Sequence, residues 1–202
     1  SNFVPNSFNE IPDVIEFISF LNDQPVLTSY AGAWVLSDNR QRWVPLRLLP
    51  PPHDKFRIKN IVSLDSLIYV SDGSDILQYN TLSRQCKLIY NRKKQGPEDD
   101  TSMEIVDMHV DSRKNLYWVF YRNYIGSYQN NKVDFIQLNK RAISKNVGYF
   151  CASAMDKQDK IWVGFKGVGF CSYDTKTGEV KWWTEFDGWI NNHVHKIIND
   201  RE

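Results

Sequence analysis

Long apolar runs are missing from this 202-residue chain. No window approaches the about 18 consecutive apolar residues of a membrane helix, so the segment is not expected to insert into a bilayer. An excess of one charge is missing too: 25 basic side chains stand against 24 acidic ones, a formal net charge of +1. Nucleic-acid binders carry a basic excess or stripe, so no nucleic-acid partner is expected. The short run Arg92-Lys93-Lys94 is followed at once by Glu98, Asp99 and Asp100 and reads as a solvated loop. Cysteine is scarce. Cys86, Cys151 and Cys171 are scattered without C-x-x-C spacing, and the latter two fall in expected strands, where they read as core thiols. G-x-S-x-G, H-E-x-x-H and Walker sequences are absent, so neither an enzyme nor a cofactor is expected. A dispersed catalytic set would be recognisable only by its geometry. The chain opens Ser1-Asn2, which suggests a processed or engineered start, so the lack of a leader sequence does not decide the compartment.

What is present is aromatic and β-branched. Hydrophobic residues make up 42% and charged residues 24%, the balance of a globular chain. Aromatic residues reach 14% and sit beside Val, Ile and Thr in short runs, which suits pleated strands. The clearest segment runs from Tyr149 to Thr184. Tyr149–Met155 reads as a strand, Asp156-Lys157-Gln158-Asp159 as a turn, and Ile161–Phe165 as a second strand. Lys166-Gly167-Val168 turns the chain, Gly169–Tyr173 is a third strand, and Glu179–Thr184 is a fourth after Asp174–Gly178. Gly167-Val168-Gly169 lacks the third glycine and helix of a dinucleotide loop and is read as that turn.

The same grammar recurs upstream. Aligned on the second strand, Leu27, Tyr69, Tyr117 and Trp162 are separated by 42, 48 and 45 residues. A period in the mid-forties with four strands per unit marks a β-propeller blade. The G-H…W-D signature of WD repeats is absent. The expected fold is all-β: a propeller fragment over 1–202 with blades at about 14–48, 58–90, 105–138 and 149–184. A stub strand at 192–199 would be the first strand of a fifth blade, since Asp200 lies 44 residues after Asp156.

These residues resemble the two-component regulator propeller repeat. The resemblance is carried by Ile161-Trp162-Val163-Gly164, Gly167-Val168-Gly169, Tyr173-Asp174, Thr177-Gly178, Trp182-Trp183, Asp187-Gly188, Asn191-Asn192 and Asp200-Arg201-Glu202. It is specific over about a quarter of the chain, with Tyr69 and Tyr117 where Trp is usual. It implies a periplasmic sensor segment of a bacterial hybrid sensor kinase, binding a glycan fragment or similar small polar ligand, with the kinase elsewhere.

Binding residues are expected in loops rather than in packing positions. Trp162, Trp182, Trp183, Tyr173, Phe165 and Phe170 read as blade filling. The turn between second and third strands and the crossover to the next blade share one face, and there they offer Tyr121, Arg122, Asn123, Lys166, Asp187, Trp189 and Asn191 as ligand-binding candidates. His193 and His195 share a strand face, but the sequence places no third ligand, so no metal is expected. Partners beyond the ligand are the rest of the propeller and a second copy, by dimerisation or edge-to-edge association of unpaired strands. Two alternatives stand: a protein-interaction scaffold, and a polysaccharide-active enzyme drawing on His193, His195 or Arg122.

Overall fold

Short runs rich in Val, Ile, Tyr and Trp, broken every five or six residues by Asp, Asn and Gly, can bury their apolar faces only as pleated sheets. The computed structural model describes residues 15, 17–21, 24–29, 32–37, 42–46, 48–50, 53, 56–96, 104–138, 149–188 and 194–197. Among them are sixteen strands in four sheets. The first holds β1 (Phe17–Leu21), β2 (Gln24–Ser29), β3 (Gly32–Leu36) and β4 (Trp43–Pro45). The second holds β5 (Asn60–Leu64), β6 (Leu67–Ser71), β7 (Asp75–Asn80) and β8 (Gln85–Asn91). The third holds β9 (Ile105–Val110), β10 (Leu116–Phe120), β11 (Tyr124–Gln129) and β12 (Lys132–Gln137). The fourth holds β13 (Phe150–Met155), β14 (Lys160–Phe165), β15 (Gly169–Asp174) and β16 (Val180–Trp183). In each sheet, spatial order is chain order and every pairing is antiparallel. Each sheet is therefore a four-stranded meander, the blade of a β-propeller.

The turns explain the register. Asn130 and Asn131 both adopt positive φ, at 50° and 62°, as a two-residue hairpin turn requires, and this pairs Gln129 with Lys132. β4 stops at Pro45, short of the expected end of the first blade at 48, because Pro45 has no N–H for a ladder; Leu46 instead donates to the Ala33 carbonyl at 2.8 Å. The expected loop at Arg92-Lys93-Lys94 is one exposed helical turn, α1 (Arg92–Gln95), at whose start Gln95 Oε1 accepts the Asn91 N–H.

The chain divides into two compact units, Ser1–Gln95 and Gly96–Glu202, each holding two blades. In the first unit, Val26, Ala33, Ile61, Ile68, Val70 and Leu77 form the core between the blades. The buried Thr28 hydroxyl ties them by donating to the Lys59 carbonyl. In the second unit, Tyr117, Val119 and Ile125 of one blade meet Ile161, Val163, Phe165, Cys171 and Tyr173 of the next. Full burial of each such side chain contributes about 1.5–3 kcal/mol.

The aromatic set read as filling does fill: Phe165 stacks on Trp182 at 5.6 Å, and Trp183 stacks on both Trp162 and Phe170. Cys171 is buried as expected, whereas Cys151 is only half-buried. Of the expected stub strand, Val194–Ile197 are described and carry no strand pairing, because they have no hydrogen-bonded neighbour strand among the described residues. Val194 and Ile197 lie on β14 instead: any Cβ at Gly164 would collide with Val194 and crowd Ile197. No helix among the described residues is long and apolar enough to cross a membrane.

Candidate functional site

A blade presents its loops at two ends, and the two ends of the second unit differ in chemistry. At the end formed by the β9–β10 and β13–β14 turns, polar side chains are consumed in holding the blades together. Asp159, only 5% exposed, accepts the Ser112 N–H at 2.9 Å, the Ser112 hydroxyl at 2.5 Å and the Lys176 ammonium at 3.0 Å. Burial alone would raise its pKa, but the Ser112 hydrogen bonds and Lys176 outweigh it and hold the carboxyl below its ordinary value. Arg113 spans the same seam, donating to Asp111 at 3.0 Å and to the Thr175 carbonyl at 2.6 Å. Beneath it, burial first and Asp111 second push the Tyr117 phenol up to about 12. With its donors and acceptors turned on one another, this end is a clasp.

The other end carries the β10–β11 turn, where Tyr121, Arg122 and Asn123 sit between two strands anchored in the core. The Tyr121 N–H donates to the Glu104 carbonyl at 2.8 Å, and the Asn123 carbonyl accepts the Leu138 N–H at 2.9 Å. Across the seam, Phe150 donates its N–H to the Tyr121 carbonyl at 3.2 Å; within the fourth blade, Lys166 donates its N–H to the Tyr149 carbonyl at 2.9 Å. Those two bonds draw the turns of both blades to one rim. The Tyr121 and Tyr149 rings pack there with centroids 5.3 Å apart and planes tilted by 33°. Tyr149 is 54% exposed, Arg122 and Lys166 are exposed, and Tyr121 and Asn123 are half-buried. An exposed aromatic face beside cationic and amide tips suits a polar, ring-shaped ligand.

The structure thus places Tyr121, Arg122, Asn123 and Lys166 together. Asp187 is at the same end but on the outer side of the blade, beyond β16, and its carboxylate accepts the Thr184 N–H at 2.8 Å and hydroxyl at 3.0 Å. Its role is to close the turn before Gly188. Trp189 and Asn191 lie outside the described residues, as does His193; His195 is exposed. Among the described residues no three His, Cys, Asp or Glu side chains gather as metal ligands. Tyr149 is the rim residue that sequence reasoning missed. The pattern assigned it to the strand, whereas the strand begins one residue later at Phe150 and leaves the ring outside.

Between the two ends, on the first strands of the two blades, His109 Nε2 approaches Ser153 Oγ at 2.8 Å and Ser153 donates to Asp107 Oδ2 at 2.6 Å. The three residue types are those of a hydrolase triad, but the order of protons is wrong for one. With the hydroxyl proton directed at Asp107, His109 Nε2 must donate to the serine oxygen and cannot remove its proton. The group joins β9 to β13 and does not activate a nucleophile.

No family model matches the chain, and no curated protein matches it. Among solved structures, it is similar to the extracellular domain of a proposed hybrid two-component system of B. thetaiotaomicron, at 14% identity and a TM-score of 0.64, covering 88% of this chain and 23% of that one. The corresponding domain of a second such system from the same organism gives 14% identity, a TM-score of 0.60, and coverage of 89% and 24%. Virginiamycin B lyase from Staphylococcus aureus gives 13% identity and 0.62, covering 92% of this chain and 59% of the lyase. The chain therefore spans about a quarter of the length of the extracellular domains it resembles, and at these identities the likeness shows the fold alone: the described sheets are blades of a β-propeller.

Proposed function

We propose that the chain is part of a glycan-sensing, extracytoplasmic propeller of a bacterial two-component receptor, and that it acts by binding. The observation that carries this reading is the Tyr121–Tyr149 pair at the seam of two blades. A sugar ring offers a flat apolar face and a polar edge, which match an exposed tyrosine face flanked by Arg122, Asn123 and Lys166. The backbone bond from Phe150 to the Tyr121 carbonyl makes the site sensitive to how the blades sit. A ligand that prefers one setting of this seam shifts the population toward it, which is the physical requirement for a sensor. Likeness in fold to extracellular domains of two-component systems supports the signalling assignment. The enzyme alternative draws no support from the Asp107–Ser153–His109 group, whose protons run the wrong way.

The test is calorimetric titration of the chain with a panel of oligosaccharides. Binding of at least one, weakened about tenfold or more by Tyr149→Ala, is the expected result. Binding of none, or binding indifferent to Tyr149→Ala, overturns the reading.

A further inference from the structure

We infer that the ligand of this rim is an acidic sugar, one carrying carboxylate or sulfate. The inference rests on the glycan-binding reading and adds to it the charge of the ligand.

The ground for it is how the cations of the second unit are spent. Arg113 is paired with Asp111, Lys132 with Asp134, Lys160 with Asp174 and Lys176 with Asp159, all at 3.0–3.9 Å. Lys181 lies over the Trp183 ring at 5.1 Å. Lys114 and Lys157 also have partners. Among the described lysines and arginines of this unit, Arg122, Lys166 and Lys196 are the ones whose side chains make no hydrogen bond, ion pair or ring contact. They are not scattered. Arg122 follows Tyr121 directly, and the Lys166 N–H is bonded to the Tyr149 carbonyl. Lys196 is exposed in the segment whose Val194 and Ile197 lie on Gly164, two residues before Lys166.

Among the described residues of this unit, the acidic side chains at this end are Glu104, Glu185 and Asp187. Glu185 and Asp187 follow β16, the outer strand of the blade, two strands out from β14, which Lys166 follows. Asp187 is moreover bonded to Thr184. Glu104, just before β9, is the acidic side chain on the inner rim among the described residues. Among the described residues, two or three uncommitted cations stand around an aromatic pair against one inner-rim carboxylate, an excess that an anionic ring would balance. Arg122 can bind a carboxylate or sulfate through two parallel N–H donors, and the tyrosines contact the ring that bears it.

The experiment uses matched pairs of probes on the whole chain: oligogalacturonate against its methyl ester, and a sulfated galactan oligosaccharide against its desulfated form. The expected result is that the acidic member of at least one pair binds about tenfold tighter than its neutral counterpart. That preference should shrink as salt rises from low to physiological strength and beyond. Arg122→Gln and Lys166→Gln should abolish the preference, while Tyr149→Ala weakens acidic and neutral members alike. Which pair shows the preference identifies carboxylate or sulfate as the group bound. Neutral members binding as tightly as acidic ones would overturn the inference and leave the glycan reading standing. A failure of all four probes and of the wider oligosaccharide panel would overturn both. Unchanged thermal unfolding of the variants confirms that the losses are local to the rim.

Discussion

The indole N–H of Trp162 donates to the carboxylate of Asp156, six residues earlier in the chain, at 2.7 Å. One blade upstream, the Tyr117 hydroxyl reaches Asp111 across the same six residues, at 3.4 Å. Each aspartate also accepts two backbone N–H groups of its own turn: Gln158 and Lys160 for Asp156, Arg113 and Asn115 for Asp111. Even the strained residue recurs, with Lys114 and Asp159 left-handed at φ 71° and 67°. The repeat visible in the sequence is thus a physical device, in which one carboxylate closes the turn and pins the aromatic of the following strand.

Removing that carboxylate should be costly. Asp156→Ala leaves two backbone donors and an indole N–H without their acceptor, and a loss of about 1–3 kcal/mol is expected. Asp156→Asn keeps an acceptor oxygen and should lose less. Urea midpoints of the two variants measure the difference; equal midpoints would mean that the turn is held by its backbone alone.

A second expectation concerns Gly126, whose cross-strand partner Trp118 is fully buried and lays its indole directly over the glycine. A methyl group there has no room, and Gly126→Ala should destabilise by about 1–3 kcal/mol. Adding Trp118→Leu should then cost less than it does in the wild-type background, because the smaller side chain vacates the space. A double-mutant cycle by chemical denaturation detects this coupling.

The Asp159 clasp sets a pH dependence with a definite sign. Its carboxyl is held below the ordinary value, so the folded state binds its proton less readily than the unfolded state does. The stabilisation is present above the unfolded carboxyl pKa, about 3.9, and is lost as pH falls through the lower folded value. Asp174, held down by the Lys176 and Thr177 N–H groups, adds in the same direction. Asp159→Asn should therefore lower the unfolding midpoint at pH 7, and the penalty should shrink as pH falls below the unfolded carboxyl pKa of about 3.9. A penalty that persists undiminished in acid would contradict the assignment.

Thiol chemistry should distinguish the three cysteines. Burial pushes the Cys171 thiol far above its ordinary range and the fully buried sulfur is unreachable, so native protein should not alkylate there. Cys86 and Cys151 are half-buried and should label first, Cys86 slowed by the burial that raises its pKa. Mass spectrometry after timed iodoacetamide treatment gives the order; early modification of Cys171 would show that the fourth blade opens readily.

The blade grammar was legible in the chain because it is local. Alternation, turn residues and a period in the mid-forties need only neighbours within one hairpin, and the Asp-to-aromatic spacing is six residues. The same locality placed Tyr121, Arg122, Asn123 and Lys166 in turns. It could not show that Tyr149 sits outside its strand: that depends on the Phe150 N–H reaching the Tyr121 carbonyl in another blade. Nor could it show that Ser153 turns its proton toward Asp107 and away from His109. Those are settled by contacts between segments tens of residues apart, where the competition for each hydrogen-bond partner is decided only once the blades have packed. The sequence alone determined the strands, their order and the filling of the blades; which polar groups are consumed in clasps, and which remain free at the rim, was decided by the tertiary structure.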